Sequence, residues 1–394
     1  MEGTSIVSAR YRAHSLAVPL GKGNQAHRLS LKIQGLNKFG LKFLATGLLG
    51  GLLLTASCRQ QISTTAELSG EDSSVCVEDY EPNTDYFPNK IQPDYASGFS
   101  VEYFNHYKVV TVTQPWQGAN ETFEYVLVQC GTPTPEIENA QVIQVPVATV
   151  ATLSTTYLPH LEALEQVDAL VGMDNFSLVY APRIREKIDQ GKLIEFQSGK
   201  VLNIEELLVR NPDLVMAYGT GDPDADSYER MIQAGLPVAM VGDYVETSPL
   251  GRAEWLKFTA LFFNQETEAQ QIFSEISDEY NALVDLTRSL PERPTVFSGF
   301  SYEGTWYMPG GKSYAAQLLQ DAGGAYLWEE SESTLTIPLD FESVFDQAAT
   351  AEIWLNVSQD WVSYGDAIAT DPRYGSFGAF KQDNIFNNNA RMNN

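Results

Sequence analysis

The feature that most constrains the fold is an alternation of strand-like and helix-like segments that starts at residue 147. Short apolar runs at 147–153, 170–173, 214–217 and 238–241 are separated by helical patterns. Apolar strands that alternate with helices are typical of a parallel sheet with helices on both faces. The sequence therefore predicts an α/β lobe built on a buried parallel sheet.

A second α/β unit follows a long helical stretch. Apolar residues recur every three or four residues from 248 to 290, which predicts one continuous helix that ends at Pro291. Strand-like runs at 295–300 and 353–357 then alternate with helical patterns. The predicted fold class is α/β, with two Rossmann-like lobes that contain parallel sheets, are joined by one long helix and enclose a ligand cleft.

The predicted organisation has five parts. These are a signal peptide at 1–57, a polar tether at 58–94, an N-terminal lobe with a small β meander at 95–247, the linking helix at 248–290 and a C-terminal lobe at 291–394.

The first 57 residues have the order of an export signal. Basic residues end at Lys42, an apolar run follows, and small residues precede Cys58. The apolar run is shorter than the roughly 20 residues of a membrane-spanning helix. Cys58 after Ala56 and Ser57 resembles a bacterial lipobox, which predicts lipidation of Cys58 and an exported protein anchored at the cell membrane, facing the periplasm or the cell exterior. An ordinary signal peptide with an incidental cysteine is the alternative.

The net charge and the number of histidines exclude several classes of binding partner and metal site. The net charge is −26, and the part after the basic N-terminus is more acidic still, which excludes nucleic acid and anionic lipid surfaces as partners. After the signal peptide only His106 and His160 remain, which excludes a multi-histidine zinc site. We predict no metal site and no cofactor. Cys76 and Cys130 either pair in an oxidising compartment or stay reduced.

The strand and helix order, with Asn211-Pro212-Asp213-Leu214-Val215 leading into a strand, resembles the periplasmic iron-siderophore and vitamin B12 binding proteins. These class III substrate-binding proteins capture ligands for ABC importers. The resemblance spans about 145 to 390. It implies a monomeric substrate-binding lipoprotein, not an enzyme, that captures a ferric siderophore or related metal chelate and delivers it to an inner-membrane permease. Members of this family continue beyond the asparagine-rich stretch in which this sequence stops, so the resemblance also implies an incomplete C-terminal lobe with a truncated C-terminus.

Three other functions stay open. A cobalamin or haem binding protein of the same class is one, and a sensing or adhesion protein that does not transport is another. The third is a secreted α/β hydrolase that uses Ser154 and His160, which lie on one strand–helix unit. The sequence contains neither a Gly-x-Ser-x-Gly motif nor a complete phosphate-binding loop motif.

Candidate ligand-binding residues follow the carboxyl ends of the predicted strands, where open α/β sheets bind ligands. Hydroxyl groups, aromatic rings and one arginine make up the set in the first lobe: Thr155, Thr156, Tyr157, Tyr180, Arg183, Tyr218 and Tyr244. Aromatic residues make up the set in the second lobe: Tyr302, Trp306, Tyr307, Trp361 and Tyr364. Flat aromatic faces suit a bulky or planar chelate, and Arg183 is expected to pair with its negative charge.

Overall fold

The computed structural model describes residues 18–19, 76–138, 140–198, 201–355, 357–358 and 360–387. The predicted lipidation site Cys58, the first part of the predicted tether, the asparagine-rich terminus and nearly all of the predicted signal peptide lie outside the described residues. Within the described part of the chain, no helix combines the length and the apolar character needed to cross a membrane.

A four-stranded sheet precedes the first lobe. The first strands are β1 (Val18–Pro19), β2 (Phe99–Tyr103), β3 (Tyr107–Val112), β4 (Phe123–Gln129) and β5 (Gln141–Val145). Strands β2, β3 and β4 form an antiparallel meander, and β5 lies parallel to β4. Burial alternates along β3, with Val110 and Val112 fully buried, so one face of this sheet covers the core.

Residues 76–94 pack against this sheet. Phe87 and Ile91 are buried among core residues. A disulfide joins Cys76 to Cys130, just after β4, so the pairing left open by the sequence is present. The prediction of a tether is therefore wrong for 76–94, because two apolar side chains in a polar segment anchor it to the core.

The first lobe contains a parallel sheet. Its strands are β6 (Val150–Thr152), β7 (Leu170–Met173), β8 (Ile194–Glu195), β9 (Gln197–Ser198), β10 (Val201–Leu202), β11 (Leu214–Ala217) and β12 (Val238–Met240). Its helices are α1 (Leu158–Ala163), α2 (Pro182–Asp189), α3 (Ile204–Arg210) and α4 (Tyr228–Gln233). Strands β9 and β10 pair with each other, and the other five form a parallel sheet of order β12-β11-β6-β7-β8. Every residue of β6, β7, β11 and β12 is buried, as parallel strands covered on both faces require.

Two helices, α5 (Pro249–Leu261) and α6 (Glu266–Arg288), occupy the predicted linking segment. The lobes are joined by a long helix, but that helix is α6 alone, and α5 is buried in the first lobe. The single helix predicted over 248–290 is interrupted because Asn264 has a φ of 54°, in the left-handed region that a helix interior excludes. Its side-chain amide donates to Gln129 Oε1 at 2.8 Å, which holds the break against the four-stranded sheet.

The second lobe repeats the parallel arrangement. Its strands are β13 (Thr295–Ser298), β14 (Ser301–Tyr302), β15 (Thr305–Pro309), β16 (Ala325–Tyr326), β17 (Thr336–Leu339), β18 (Ile353–Leu355) and β19 (Ile385–Asn387). Its helices are α7 (Tyr314–Asp321), α8 (Phe341–Ala348), α9 (Tyr364–Thr370) and α10 (Gly378–Lys381). The main sheet has the order β1-β19-β18-β13-β16 and is parallel except for β1, while β14, β15 and β17 form a separate antiparallel sheet. The predicted fold class, α/β with two parallel-sheet lobes, is confirmed.

Candidate functional site

The carboxyl ends of four neighbouring strands in the first lobe bring polar and aromatic side chains together. Asp174 directly follows β7 and Tyr218 directly follows β11, while Tyr157 and Asp243 lie a few residues after β6 and β12. These strands are adjacent in the sheet, so their ends meet at one edge. We call this group, with Tyr244, the tyrosine cluster.

Tyr157 is the buried member of the tyrosine cluster. It ends a short 3-10 helix, Thr155–Tyr157, in which the Ser154 hydroxyl caps the backbone N–H of Thr156 at 3.3 Å. The Tyr157 ring is fully buried, and its hydroxyl has no hydrogen-bond partner among the described residues. Burial raises the pKa of Tyr157 well above its usual value, and the nearby Asp243 carboxylate raises it further. The hydroxyl is therefore a neutral donor.

Asp243 is a buried carboxyl beside Tyr157. Burial raises its pKa to about 6, and the opposing causes are the positive charge of Arg252 and hydrogen bonds from the Tyr244 backbone and the Thr156 hydroxyl. Because this pKa lies close to neutral, Asp243 changes its charge within the range of ordinary solution pH. The cluster can therefore offer either a carboxylate or a carboxylic acid to a ligand.

Tyr218 and Tyr244 are the accessible members, each 38% exposed. The Tyr244 hydroxyl donates to the Gly219 carbonyl oxygen at 2.7 Å, which ties Tyr244 to the loop after β11. The two partly covered rings offer aromatic surface together with hydroxyl groups, a combination suited to a ligand with flat and polar parts.

Arg252 connects the tyrosine cluster to the second lobe. Its Nη2 donates to the Tyr244 carbonyl oxygen at 2.5 Å, and its guanidinium carbon lies 4.1 Å from the centre of the Tyr314 ring. Tyr314 is the first residue of α7, so this cation–π contact joins the lobes beside the site. The sequence indicated none of Asp243, Arg252 and Tyr314 as site residues. Only Asp243 carried a usable signal, since it lies just beyond a strand end.

Three predicted site residues of the second lobe are instead buried in its core. Trp306 is fully buried and its Nε1 donates to the Ser298 carbonyl oxygen at 2.8 Å. Trp361 is also buried and packs on Trp354, and Tyr364 packs on Phe380. The prediction that these three rings line a cleft is corrected. They fill the aromatic core between the sheet and its helices.

Apart from the buried Tyr157, the remaining predicted residues keep accessible surface. Tyr302 and Tyr307 are about half exposed on β14 and β15. In the first lobe, Thr155 is half-buried, while Thr156 is exposed beside Asp243. Tyr180 and Arg183 are exposed in the loop before α2 and in its first turn. All of these stay predictions as ligand contacts.

The hydrolase alternative required Ser154 and His160 to meet. His160 Nδ1 instead lies 2.9 Å from Thr259 Oγ1, and Ser154 Oγ lies 3.0 Å from Thr156 Oγ1. Burial lowers the pKa of His160 to about 4, so this ring is neutral at pH 7. Within the described residues, no group of three or more His, Cys, Asp or Glu side chains is placed to hold a metal ion.

Two parallel-sheet lobes joined by a long helix, with tyrosines collected at the strand ends, define a two-lobe binding protein. The chain belongs to the periplasmic binding protein family, whose model matches residues 150–391. The family match thus covers most of both lobes and begins after the four-stranded sheet.

Solved structures share this fold. A periplasmic binding protein from Veillonella parvula superposes with a TM-score of 0.52 at 13% identity, over 75% of this chain and 91% of that chain. A possible iron-binding (periplasmic solute-binding) protein from Staphylococcus epidermidis gives a TM-score of 0.50 at 17% identity, over 61% of this chain and 89% of that one. At these identities the likeness shows the fold alone.

Two similar relatives come from Methanocaldococcus jannaschii. The uncharacterized lipoprotein MJ0878 is 26% identical over 257 residues, which is 63% of this chain and 61% of the relative. The uncharacterized lipoprotein MJ0872 is 26% identical over 274 residues, 66% of this chain and 68% of the relative. The chain therefore matches about three fifths of the first relative's length.

Proposed function

We propose that this protein is the substrate-binding lipoprotein of an ABC importer, and that it captures a ferric siderophore or a related metal chelate for a membrane permease. The observation that carries the proposal is the tyrosine cluster at the strand ends, with Arg252 and Tyr314 linking it to the second lobe. Family membership supports ligand capture, and the composition of the cluster supports the ligand class.

The chemistry of the cluster suits the organic shell of a chelate. Tyrosine hydroxyls and a guanidinium donate hydrogen bonds to hydroxamate, catecholate or carboxylate oxygens, and tyrosine rings pack on flat ligand parts. Arg183, exposed in the first turn of α2, is proposed as a further partner for negative charge. On this account the metal reaches the protein already chelated.

Native mass spectrometry tests the ligand class. The protein is mixed with a ferric hydroxamate, a ferric catecholate, haem, cyanocobalamin, free ferric citrate and a set of sugars, and bound masses are read after desalting. A bound ferric siderophore supports the proposal. Binding of haem or cobalamin instead selects the second candidate within the class. Binding only of sugars or of bare metal ions contradicts a chelate cleft.

Export and anchoring are part of the proposal. The Cys76–Cys130 disulfide supports an oxidising compartment, and the two relatives are named lipoproteins. We expect Cys58→Ser to release the protein from membranes, whereas the matched variant Ser57→Gly, which keeps a small residue before the cysteine, stays anchored. Carbonate washing of membranes followed by immunoblotting is the measurement. A Cys58→Ser protein that remains in the washed pellet contradicts lipid anchoring.

A sensing or adhesion protein that does not transport is the remaining candidate. It is distinguished by uptake of the captured chelate into cells: a transport protein loses uptake when its gene is deleted, while a sensor does not. The hydrolase candidate is disfavoured because His160 contacts Thr259 rather than Ser154.

A further inference from the structure

The loop that joins β3 to β4, residues 113–122, reaches the tyrosine cluster from outside the region matched by the family model. This loop belongs to the four-stranded sheet, whereas the family match begins at residue 150. A turn in which the Ala119 N–H donates to the Trp116 carbonyl oxygen at 3.2 Å shapes its tip. We call residues 113–122 the β3–β4 loop.

Trp116 of the β3–β4 loop packs directly beneath the loop that follows β11. A Cβ atom added at Gly219 would lie 2.6 Å from Trp116 Cε3, and one added at Gly221 would lie 2.8 Å from both Cδ1 and Nε1 of the indole. Contacts below 3.0 Å cannot be kept without a shift, so the close approach needs glycine at both positions. Trp116 is only 8% exposed and also packs on Phe123 and Tyr228.

The backbone of the β3–β4 loop contacts the cluster at two further points. Burial raises the pKa of Tyr244, and the nearby Gln117 backbone acts against this rise, which indicates that Gln117 lies beside the ring. The Tyr244 hydroxyl donates to the Gly219 carbonyl oxygen at 2.7 Å. The Gln114 carbonyl oxygen lies against Gly242, where an added Cβ would be 2.2 Å away. Both points lie at the carboxyl ends of β11 and β12.

Asp226 holds the loop after β11 from within the first lobe. Its carboxylate accepts the Thr220 N–H at 2.8 Å, the Gly221 N–H at 2.9 Å and the Thr220 hydroxyl at 2.9 Å. The segment directly after Tyr218 is therefore fixed between Asp226 and Trp116.

We infer that Trp116 of the β3–β4 loop is a positioning residue of the ligand site, which holds the 219–221 segment, and through Gly219 also Tyr244, in place for binding. This inference rests on the proposed function for its ligand. A preformed site binds more tightly because the ligand does not have to order these groups on binding. On this account the four-stranded sheet raises ligand affinity, although Trp116 itself does not contact the ligand.

The first test measures order without any ligand. Hydrogen–deuterium exchange of the peptide covering 218–226 reports the Thr220 and Gly221 amides. Trp116→Ala is expected to accelerate exchange there, and Trp116→Phe to restore most of the protection. Phe104→Ala, an exposed aromatic at the opposite end of β3 in the same sheet, is the matched control and leaves this exchange unchanged. Unchanged exchange in Trp116→Ala overturns the inference.

A double-variant cycle keeps the test valid if Trp116→Ala weakens the fold. Gly219→Ala places a Cβ against the indole, so it is expected to accelerate exchange in the wild-type background and to do so much less in the Trp116→Ala background. Equal effects of Gly219→Ala in both backgrounds overturn the inference, since they mean that Trp116 and Gly219 act independently.

The second test measures affinity for a ferric trihydroxamate siderophore, haem and cyanocobalamin. For whichever probe the wild type binds, Trp116→Ala is expected to weaken binding about tenfold, with recovery in Trp116→Phe. Faster exchange with unchanged affinity overturns the inference and leaves the proposed function standing. If the wild type binds none of the three probes and no ferric catecholate either, the proposed ligand class fails, and the exchange measurements still decide whether the β3–β4 loop holds the site.

Discussion

The buried carboxyl of Asp243 contributes a pH dependence to the stability of the protein. Burial raises its pKa to about 6 in the folded protein, whereas an unfolded aspartate titrates near 4. The folded state therefore binds more protons between these values, and the contribution of Asp243 to stability is present below pH 4 and is lost as the pH rises through 6. Asparagine at this position stays neutral and lacks this dependence.

We expect the free energy of unfolding of Asp243→Asn, relative to wild type, to rise by roughly 1–3 kcal/mol between pH 4 and pH 7. Urea unfolding at several pH values is the measurement. Asp168→Asn, at a side chain that is 93% exposed, is the control and should show no such trend. A difference between Asp243→Asn and wild type that is constant with pH contradicts the assignment of this pKa.

Single residues also show where sequence reasoning ends. Strand ends can be predicted from the sequence, and Tyr218 and Tyr244 do follow strands of the first-lobe sheet. Their contact with a ligand stays a prediction. The sequence cannot tell that Trp306 is buried and Tyr307 exposed. Neighbouring residues of a strand point to opposite faces, and only the packed structure shows which face is inside. Arg252 was missed because tertiary packing alone brings the first turn of α5 to the cluster.

At the scale of elements, one buried carboxylate, Glu254, fastens the N-terminal segment to α5. Glu254 is fully buried and accepts the backbone N–H groups of Asp94, Tyr95 and Ala96 at 2.7–3.0 Å. Its other partner is the Lys257 ammonium group, 2.7 Å away and also fully buried. The segment before β2 is therefore held by an ion pair that has no access to water.

We expect Glu254→Gln to lower the free energy of unfolding by about 3–5 kcal/mol, because the change leaves the buried charge of Lys257 without its main counter-charge. Glu268→Gln, at an exposed position of α6, is the matched control and should change it by under about 0.5 kcal/mol. Urea unfolding at pH 7 measures both. A loss below about 1 kcal/mol for Glu254→Gln would mean that this ion pair does not fasten the segment.

The helices show a similar limit of prediction. The apolar period that predicts one helix over 248–290 continues through Phe262 and Phe263, so the period alone does not show the break. The residue type at position 264 does give a signal, since asparagine tolerates the left-handed conformation better than most residues. Its contact with Gln129, far away in sequence, could not be anticipated.

At the scale of the whole molecule, α6 belongs to both lobes. Ala269 and Phe273 near its start are buried, while near its end the Tyr280 hydroxyl donates to Asp321 Oδ2 and the Thr287 hydroxyl donates to the Asp321 carbonyl oxygen, both at 2.7 Å. A continuous helix anchored at both ends resists the bending that hinge strands permit. The lobes should therefore keep nearly the same separation with and without ligand.

Small-angle X-ray scattering tests this rigidity. We expect the radius of gyration to stay unchanged within error when the ligand is added at saturation. Asp321→Ala, which removes the Tyr280 contact, is expected to allow a measurable change. A clear drop on ligand addition to the wild type contradicts a rigid α6 connection.

The parallel-sheet lobes and the helix between them could be predicted because period and element order are local properties of the sequence. The second-lobe half of the site could not be predicted, because it depends on which aromatic rings are buried in the core of that lobe. The aromatic rings of that lobe's core, including Trp306 and Trp354, pack against one another, whereas Tyr314 lies at the contact with the first lobe.

The most direct test of the central claim is a fluorescence titration of the protein with the chelate identified by mass spectrometry. The claim places the ligand at the tyrosine cluster, near Trp116, so binding should quench tryptophan emission. Tyr218→Ala should weaken binding by roughly 1–3 kcal/mol, the range for losing an aromatic contact. Tyr95→Ala, at a ring of similar exposure on the first-lobe side, should bind as the wild type does. Equal affinities of the wild type, Tyr218→Ala and Tyr244→Ala would contradict the claim.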